Sequence, residues 1–215
     1  NSGWKNALLE HAITPIQQYS YTFGKNSSDS AMIIDAMDIL YTEKTDGFVI
    51  VSSDSDFTRL AIRLREAGQR VIGIGEKKTP SPFIAACDKF TYIEVIRDAF
   101  EEKMADDERA KAAEKVKAKT PPPAAANHAR PRTKVPEAVV QLLVDSVADL
   151  AGDNEWVFMG DLGNLILKKQ PDFDHRNYGF KSLSALIKSI DRFEVDFRQT
   201  ADPNIKHPYV RDREA

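Results

Sequence analysis

One short stretch constrains the fold more than any other part of the sequence. Residues 48–51 read Phe-Val-Ile-Val, an apolar run rich in β-branched side chains. Such a run is typical of a strand that is buried on both faces of a parallel sheet. It leads through Ser52, Ser53, Asp54, Ser55 and Asp56 into apolar residues at helical spacing, namely Phe57, Leu60, Ala61 and Leu64. Gly68 then suits the end of a helix, so this stretch predicts a strand, an acidic turn and a helix.

The acidic turn is the first candidate for a functional site. Ligand sites of open α/β sheets form at the carboxyl ends of strands, and Asp54 and Asp56 follow such an end. Two carboxylates there predict a site for a hard cation, Mg²⁺ or Mn²⁺. The alternative is that one aspartate caps the helix. Capping accounts for one carboxylate but leaves the other close by as a like charge.

The rest of the first hundred residues alternates strand-like and helical patterns. Strands are predicted at 13–23, 69–75 and 90–93, and helices at 4–12, 30–41 and 83–87. With short connections this order predicts an α/β fold with a parallel, doubly wound sheet. Ser27 or Ser28 suits the N-cap of the second helix. Asp29 would then lie in its first turn, where the helix dipole stabilises a negative charge.

Charge and cysteine content narrow the class of protein. The chain has 215 residues, room for one large domain or two small ones, and a net charge of -3, so any nucleic-acid surface must be a local patch. The single cysteine, Cys87, lies in an apolar helical pattern and is expected to be a packed thiol. One cysteine predicts a reducing compartment, the cytoplasm. No apolar run has the length of a membrane span, so no membrane partner is expected.

The second half of the chain predicts a separate small domain. Residues 101–119 are charged or alanine, which is typical of a solvated helix, and 120–134 form a Pro/Ala-rich linker. Helical patterns follow at 136–150, 161–169 and 181–190. Alternating strands at 193–197 and 207–210 can pair as a hairpin. Three helices and a hairpin predict a winged helix.

Two groups of motifs carry family resemblances. Gly24–Ala31, Ile34–Asp38 and Val51–Phe57 resemble the NYN domain of the PIN-like nuclease superfamily, closest to bacterial NYN proteins with a C-terminal helix-turn-helix. Residues 154–157, 162–164, 171–174 and 177–180 resemble the OST-HTH, or LOTUS, domain. The expected domains are therefore NYN at 1–97, a charged helix and linker at 98–134, and a winged-helix OST-HTH domain at 135–212.

The NYN resemblance implies a set of metal ligands. In that family, acidic residues from several strand ends hold Mg²⁺ or Mn²⁺ against the scissile phosphate, and the matching positions are Asp29, Asp54 and Asp56. Asp35, Ser52 and Ser53 are further candidates. Asp35 is more readily structural, because six helical residues turn it about 600° from Asp29.

One departure from the family pattern affects the whole sheet. The family's first strand, which ends in an aspartate, has no counterpart here. We expect the chain to be a fragment with an open strand edge and exposed apolar surface. An incomplete and inactive domain is the alternative.

The resemblances together predict a metal-dependent ribonuclease whose C-terminal domain binds RNA. The candidate RNA contacts are Lys25, Arg59, Lys77 and Lys78 near the acidic turn, and Lys168, Lys169, Arg176, Lys181 and Lys188 in the C-terminal domain. Ordinary surface charge is the alternative for each of them. Trp156 or Tyr178 could stack on bases, although Trp156 is expected in the core.

The alternative function is a non-catalytic adaptor that binds RNA or a protein partner. A small-molecule enzyme on a Rossmann-like sheet is not favoured, because Gly73 and Gly75 supply only part of a nucleotide-binding fingerprint.

Overall fold

The computed structural model describes residues 2–19, 27–42, 44–116, 135–151, 155–199 and 206–214, giving only the backbone for residues 2 and 108–116. The chain forms two compact units, Asn1–Asp46 and Gly47–Ala215. The sheet and the winged helix both lie in the second unit.

The first unit consists of helices and irregular backbone. A 3₁₀ turn at Ser2–Trp4 leads into α1 (Lys5–Glu10), and α2 spans Ser27–Thr42. Residues 13–19 form neither helix nor strand, so the strand predicted there is wrong. A strand needs a partner for its backbone groups, and no described residue pairs with this segment. Residues 20–23, the rest of that prediction, lie outside the described part of the chain.

A three-stranded parallel sheet organises the first part of the second unit. Its strands are β1 (Gly47–Val51), β2 (Arg70–Gly75) and β3 (Lys89–Tyr92), in the order β1-β2-β3. A 3₁₀ turn at Ser55–Phe57 and α3 (Thr58–Glu66) connect β1 to β2, and α4 (Ser81–Ala86) connects β2 to β3. The predicted α/β fold is thereby confirmed. As predicted, α3 and its preceding turn bury the residues at helical spacing, Phe57, Leu60, Ala61 and Leu64.

The first strand is less buried than its composition suggests. Ile50 is 5% exposed, but Val49 is 60% and Val51 62% exposed, so the expected burial on both faces is wrong. Alternate residues of a strand face opposite sides, so Val49 and Val51 share one face. Among the described strands β1 pairs with β2 alone, and that face is open.

The helix α3 ends as its sequence predicts. Gly68 has φ 81° just after α3, the left-handed conformation expected of a residue that ends a helix. The helix α4 begins at Ser81, with Pro80 at its N-cap position. The helix α5 (Ile93–Val116) begins directly after β3, earlier than its charged part predicts. None of the described helices has both the length and the apolarity needed to cross a membrane.

The C-terminal part is a winged helix, as predicted. Its elements are α6 (Glu137–Leu150), β4 (Val157–Phe158), α7 (Met159–Lys169), α8 (Leu183–Lys188), β5 (Phe193–Gln199) and β6 (Lys206–Asp212). The antiparallel strands lie in the order β4-β6-β5, so β4 adds a third strand to the predicted hairpin. A separate apolar core includes Leu143, Leu162, Ile166, Leu186 and Val210, each with no exposed surface.

Two hydrogen bonds join the winged helix to the parallel sheet within the second unit. The Phe90 N–H donates to the Pro171 carbonyl at 2.8 Å. The Tyr92 hydroxyl donates to Asp172 Oδ2 at 2.6 Å. Burial and this hydrogen bond raise the pKa of Tyr92. The connector after α7 thus covers part of an edge strand that would otherwise present open backbone groups.

Replacing Tyr92 with phenylalanine tests this contact. The substitution removes the donor and leaves the Asp172 carboxylate with one hydrogen bond fewer, so we expect the free energy of unfolding to fall by about 1–2 kcal/mol. Urea denaturation followed by circular dichroism measures the change. Tyr19→Phe is the matched control, because Tyr19 is 68% exposed. An equal loss in both variants would contradict a specific role for the Tyr92–Asp172 bond.

Candidate metal centre at the carboxyl edge of the parallel sheet

The turn after β1 is held by a chain of short-range hydrogen bonds. The Ser52 N–H donates to the Ile74 carbonyl at 2.9 Å, which extends the pairing with β2 beyond the strand. Ser52 Oγ accepts from the Asp54 N–H at 3.1 Å, and Asp54 Oδ1 accepts from the Asp56 N–H at 2.9 Å. Asp54 therefore caps the 3₁₀ turn that follows, which confirms the capping interpretation for one of the two aspartates.

The ends of β1 and β2 approach each other closely. Ser53 Oγ accepts from the Glu76 N–H at 2.9 Å, which ties the two strand ends together. A Cβ at Gly75 would lie 2.5 Å from the Ser52 carbonyl oxygen, so this approach requires a glycine. Both serine hydroxyls thus support the backbone of the acidic turn. Their role as metal ligands stays a prediction.

Asp54 and Asp56 present two carboxylates to solvent. One carboxylate oxygen of Asp54 lies within 4.8 Å of one of Asp56, and both residues are exposed. A shallow depression of about 520 Å³ adjoins Asp54 and is lined by Ser52, Ser53, Asp54, Ser55, Lys78 and Pro80. Paired carboxylate oxygens fit Mg²⁺ or Mn²⁺, and an open site leaves room for the water ligands that Mg²⁺ retains.

The other two predicted carboxylates lie in the first unit. Asp29 is half-buried in the first turn of α2, and Asp35 is half-buried six residues later in the same helix. That separation places the two side chains about 120° apart around the helix. The participation of Asp29 in a metal site stays a prediction. Lys25 lies outside the described residues.

The basic residues near the turn are engaged by neighbouring groups. Lys78 Nζ lies 2.6 Å from Glu76 Oε2, and this hydrogen bond raises the pKa of Lys78. Arg59 lies 4.0 Å from Glu66 and is largely exposed. Lys78, which borders the depression, is therefore the predicted cation placed beside Asp54.

Sequence reasoning missed one carboxylate at this edge, Glu94. It follows β3 in the first turn of α5, and Glu94 Oε1 accepts from the Lys77 N–H at 3.2 Å. Hydrogen bonds from its own N–H and from that of Lys77 hold the pKa of Glu94 below its usual value. The signal was an acidic residue directly after the predicted strand at 90–93. Glu94 secures the turn that carries Lys77.

Two of the basic residues predicted in the C-terminal domain form ion pairs there. Lys169 Nζ lies 2.7 Å from Asp149 Oδ2. Arg176 donates to both oxygens of Asp174, with distances from 2.6 to 3.1 Å. Burial alone would raise the pKa of Asp174, but the hydrogen bonds from Arg176 outweigh it and lower that pKa. These pairs support the domain itself.

The remaining three predicted cations are exposed. Lys188 lies over the Phe197 ring, with Nζ 4.5 Å from the ring centroid. Lys168 lies in the last turn of α7, and Lys181 precedes α8. They are the C-terminal candidates whose charge faces solvent.

The two aromatic candidates for base stacking, Tyr178 and Trp156, differ in their contact with the apolar core. Tyr178 packs against the apolar core of the winged helix. Trp156 is half-buried but does not belong to that core, so its expected place is wrong. Its ring instead contacts the guanidinium groups of Arg198 and Arg211, each 4.9 Å from the ring centroid. Trp156 directly precedes Val157, which is buried, and side chains alternate along extended backbone, so Trp156 faces the other side.

The described residues combine a parallel α/β sheet with a winged helix. The family models agree: the NYN domain matches residues 1–94, and the OST-HTH/LOTUS domain matches residues 132–205. The chain therefore contains an NYN domain followed by an OST-HTH/LOTUS domain. This pairing associates it with RNA and with nuclease-like chemistry.

Two solved structures are similar to part of the chain. One is the solution structure of an uncharacterised protein from Nitrosomonas europaea, with 31% identity over 44% of this chain and 90% of that one, at a TM-score of 0.34. The other is the solution structure of a protein from Chromobacterium violaceum, with 24% identity over 39% of this chain and 89% of that one, at a TM-score of 0.30. None of the curated proteins compared with the sequence matches it.

Two substitutions separate the capping role of Asp54 from its charge. Asp54→Ala removes the acceptor for the Asp56 N–H and should lower the free energy of unfolding by about 1 kcal/mol. Asp54→Asn keeps an acceptor oxygen and should unfold within a few tenths of a kcal/mol of the parent chain. Urea denaturation of the two variants measures both values. Equal destabilisation by alanine and asparagine would contradict the capping role.

The Asp174–Arg176 pair predicts a dependence of stability on acid. The pKa of Asp174 is lowered from 3.8 in the folded chain, so its stabilising contribution is present above that pH. It is lost as the pH falls through the lower folded pKa. Asp174→Asn should therefore flatten the decline of melting temperature below pH 3.8. The same measurement on Asp191→Asn, a surface position, serves as the control, and an identical decline in all three chains would contradict the prediction.

Proposed function

We propose that the chain is a metal-dependent ribonuclease that hydrolyses RNA phosphodiesters at the Asp54–Asp56 edge. The observation that carries the proposal is the pair of exposed carboxylates at the carboxyl edge of the parallel sheet of an NYN domain. Catalysis would lie in residues 1–97 and RNA binding in residues 135–212, with 98–134 as the connection. The buried thiol of Cys87, whose pKa burial raises to about 11, suits a cytoplasmic protein.

Asp54 and Asp56 would hold Mg²⁺ or Mn²⁺ through oxygen ligands. A bound ion of this kind supplies a water of lowered pKa and neutralises charge on the reacting phosphate. The turn contributes preorganisation, because the Asp56 N–H and the supporting Ser52 and Ser53 hydroxyls fix the backbone before substrate arrives. Lys78, beside the same depression, would position a phosphate of the RNA.

We propose Asp29 as the third carboxylate. Its place in the first turn of α2 favours a negative charge, and the NYN match includes both α2 and the acidic turn. Asp35 belongs to the same helix but faces another direction, so it offers a matched comparison. Ligation by Asp29 would require the two compact units to work as one domain.

A non-catalytic adaptor is the alternative. It is favoured by the capping role of Asp54, because a carboxylate that accepts the Asp56 N–H has a structural use without any metal ion. In that case the OST-HTH/LOTUS domain would bind RNA or a protein partner, and the acidic edge would have no chemical task. Metal binding and cleavage together distinguish the two functions.

Charge-removing variants test the nuclease proposal. Asp54→Asn, Asp56→Asn and Asp29→Asn should each lower Mn²⁺-dependent cleavage of end-labelled single-stranded RNA by at least about 100-fold. The same variants should bind Mn²⁺ more weakly in calorimetry while keeping the parent melting temperature. Asp35→Asn, the control on α2, should leave both readouts unchanged.

Several outcomes would refute parts of this assignment. Cleavage that persists in Asp54→Asn, or in excess EDTA, would remove the metal mechanism. Normal activity and Mn²⁺ affinity in Asp29→Asn would remove Asp29 from the site. RNA binding by the parent chain without any cleavage would favour the adaptor.

A further inference from the structure

The three-stranded sheet of the winged helix has an outer face that the core of the domain does not use. Val157 pairs with Val210 and Val195 pairs with Val210, and these valines form the inner face. Because side chains alternate along a strand, the neighbouring pairs point outwards. We call the following set the outer wing face: Trp156, Phe158, Glu194, Asp196, Arg198, His207, Tyr209 and Arg211.

Arginine and aromatic groups alternate across the outer wing face. The Arg211 guanidinium lies 4.9 Å from the Trp156 ring centroid, and that of Arg198 lies 4.9 Å from the same ring. Arg198 also lies 4.7 Å from the Tyr209 ring. Trp156 is thus contacted by two cations, and Arg198 bridges two rings.

Three rings continue this arrangement towards the end of the hairpin. Phe158 is stacked with His207 at a centroid distance of 5.1 Å and an interplanar angle of 28°. Phe158 also contacts Tyr209 at 5.7 Å. None of these rings belongs to the apolar core of the domain. They form a separate group of planar side chains on the opposite face of the sheet.

Carboxylates hold the two arginines in place. Arg211 Nη2 lies 2.7 Å from Glu194 Oε2, and Arg198 Nε lies 3.3 Å from Asp196 Oδ2. These pairs fix the guanidinium planes against the rings and lower the entropy that a ligand would otherwise have to remove. A guanidinium held in this way still offers its plane for stacking.

The chemistry of the outer wing face selects one kind of ligand. The set that defines the face consists of aromatic, arginine and acidic side chains, so it offers flat rings and guanidinium planes. Aromatic rings and arginine planes stack on unpaired nucleobases, and carboxylates accept hydrogen bonds from exocyclic amino groups. Among the described residues of the face, Arg198 and Arg211 balance Glu194 and Asp196, so stacking and not net charge would hold the ligand.

We propose that the outer wing face is a binding site for single-stranded RNA, with unpaired bases stacked on Trp156, Tyr209 and Phe158. The inference rests on the proposed function insofar as the ligand is RNA, and it assigns RNA recognition to this face of the domain. The lysines of the α7 and α8 ends then contribute general attraction, whereas the rings contribute the preference for single strands.

Fluorescence of Trp156 tests the site directly. The chain has two tryptophans, and Trp4 is 61% exposed in the first unit, so Trp4→Phe leaves Trp156 as the single reporter. Titration of this chain with single-stranded RNA 12-mers in EDTA, which prevents cleavage, should quench Trp156 emission. Fluorescence anisotropy of labelled RNA measures affinity in parallel, and a duplex of the same sequence should bind at least about tenfold more weakly.

Variants of neighbouring residues separate stacking from charge and from folding. Tyr209→Ala should weaken RNA binding about tenfold, and Arg198→Lys, which keeps the charge but loses the plane, should weaken it several-fold. Phe197→Ala is the matched control. Phe197 is an aromatic residue next to Arg198 in β5, is 44% exposed, and faces the other side of the sheet. Its variant should bind RNA like the parent chain, and circular dichroism should show all three variants folded.

The outcomes distinguish this site from the nuclease proposal. Quenching of Trp156 together with selective loss of affinity in Tyr209→Ala supports the site even if no cleavage is seen. RNA binding that leaves Trp156 emission unchanged, or that is equal in Tyr209→Ala and Phe197→Ala, overturns it and leaves cleavage at Asp54 unaffected. Absence of any RNA binding overturns it too and would reopen the face to a protein partner.

Discussion

The acidic site depends on the close parallel approach of two backbones. β1 and β2 remain paired beyond the last residue of β1, because Ser52 still donates to Ile74. Gly75 permits this approach, since any side chain there would overlap the Ser52 carbonyl oxygen. The turn that carries Asp54 and Asp56 is therefore placed by the sheet and not by the carboxylates themselves, whose mutual repulsion opposes their proximity. The geometry of the acidic turn therefore depends on the pairing of β1 with β2.

Local patterns predicted the elements that bury their own side chains. Phe57, Leu60 and Leu64 lie at helical spacing and are buried as expected, and Gly68 adopts the left-handed conformation that ends a helix. Composition failed where burial depends on neighbours distant in the sequence. The apolar run of β1 reads as a buried strand, yet Val49 is open because only one strand pairs with β1 among the described residues. Segment 13–19 has strand-like residues but no described partner strand.

The same reasoning explains the mixed outcome for the functional residues. Asp54 and Asp56 come three and five residues after the last residue of β1, so topology alone placed them together at one edge. Trp156 could not be assigned in this way, because its direction follows from the register between β4 and β6. Likewise, no one-dimensional pattern indicates that Arg176 is paired with Asp174, or that Lys169 is paired with Asp149. A count of basic residues in the sequence therefore overstates the positive charge available to a ligand, because some of these residues are paired with carboxylates.

The bond between the Phe90 N–H and the Pro171 carbonyl has a consequence for how the protein can be divided. The Pro/Ala-rich linker at 120–134 is a natural place to divide the protein for expression. A chain that ends there would lose the Pro171 carbonyl, which accepts the hydrogen bond from β3. An uncovered edge of this kind recruits strands from other molecules, and open sheets of short length are prone to such association. The N-terminal part is thus expected to be less soluble alone than in the intact protein. By covering β3, the winged helix protects the sheet from self-association, whatever ligand the winged helix itself binds.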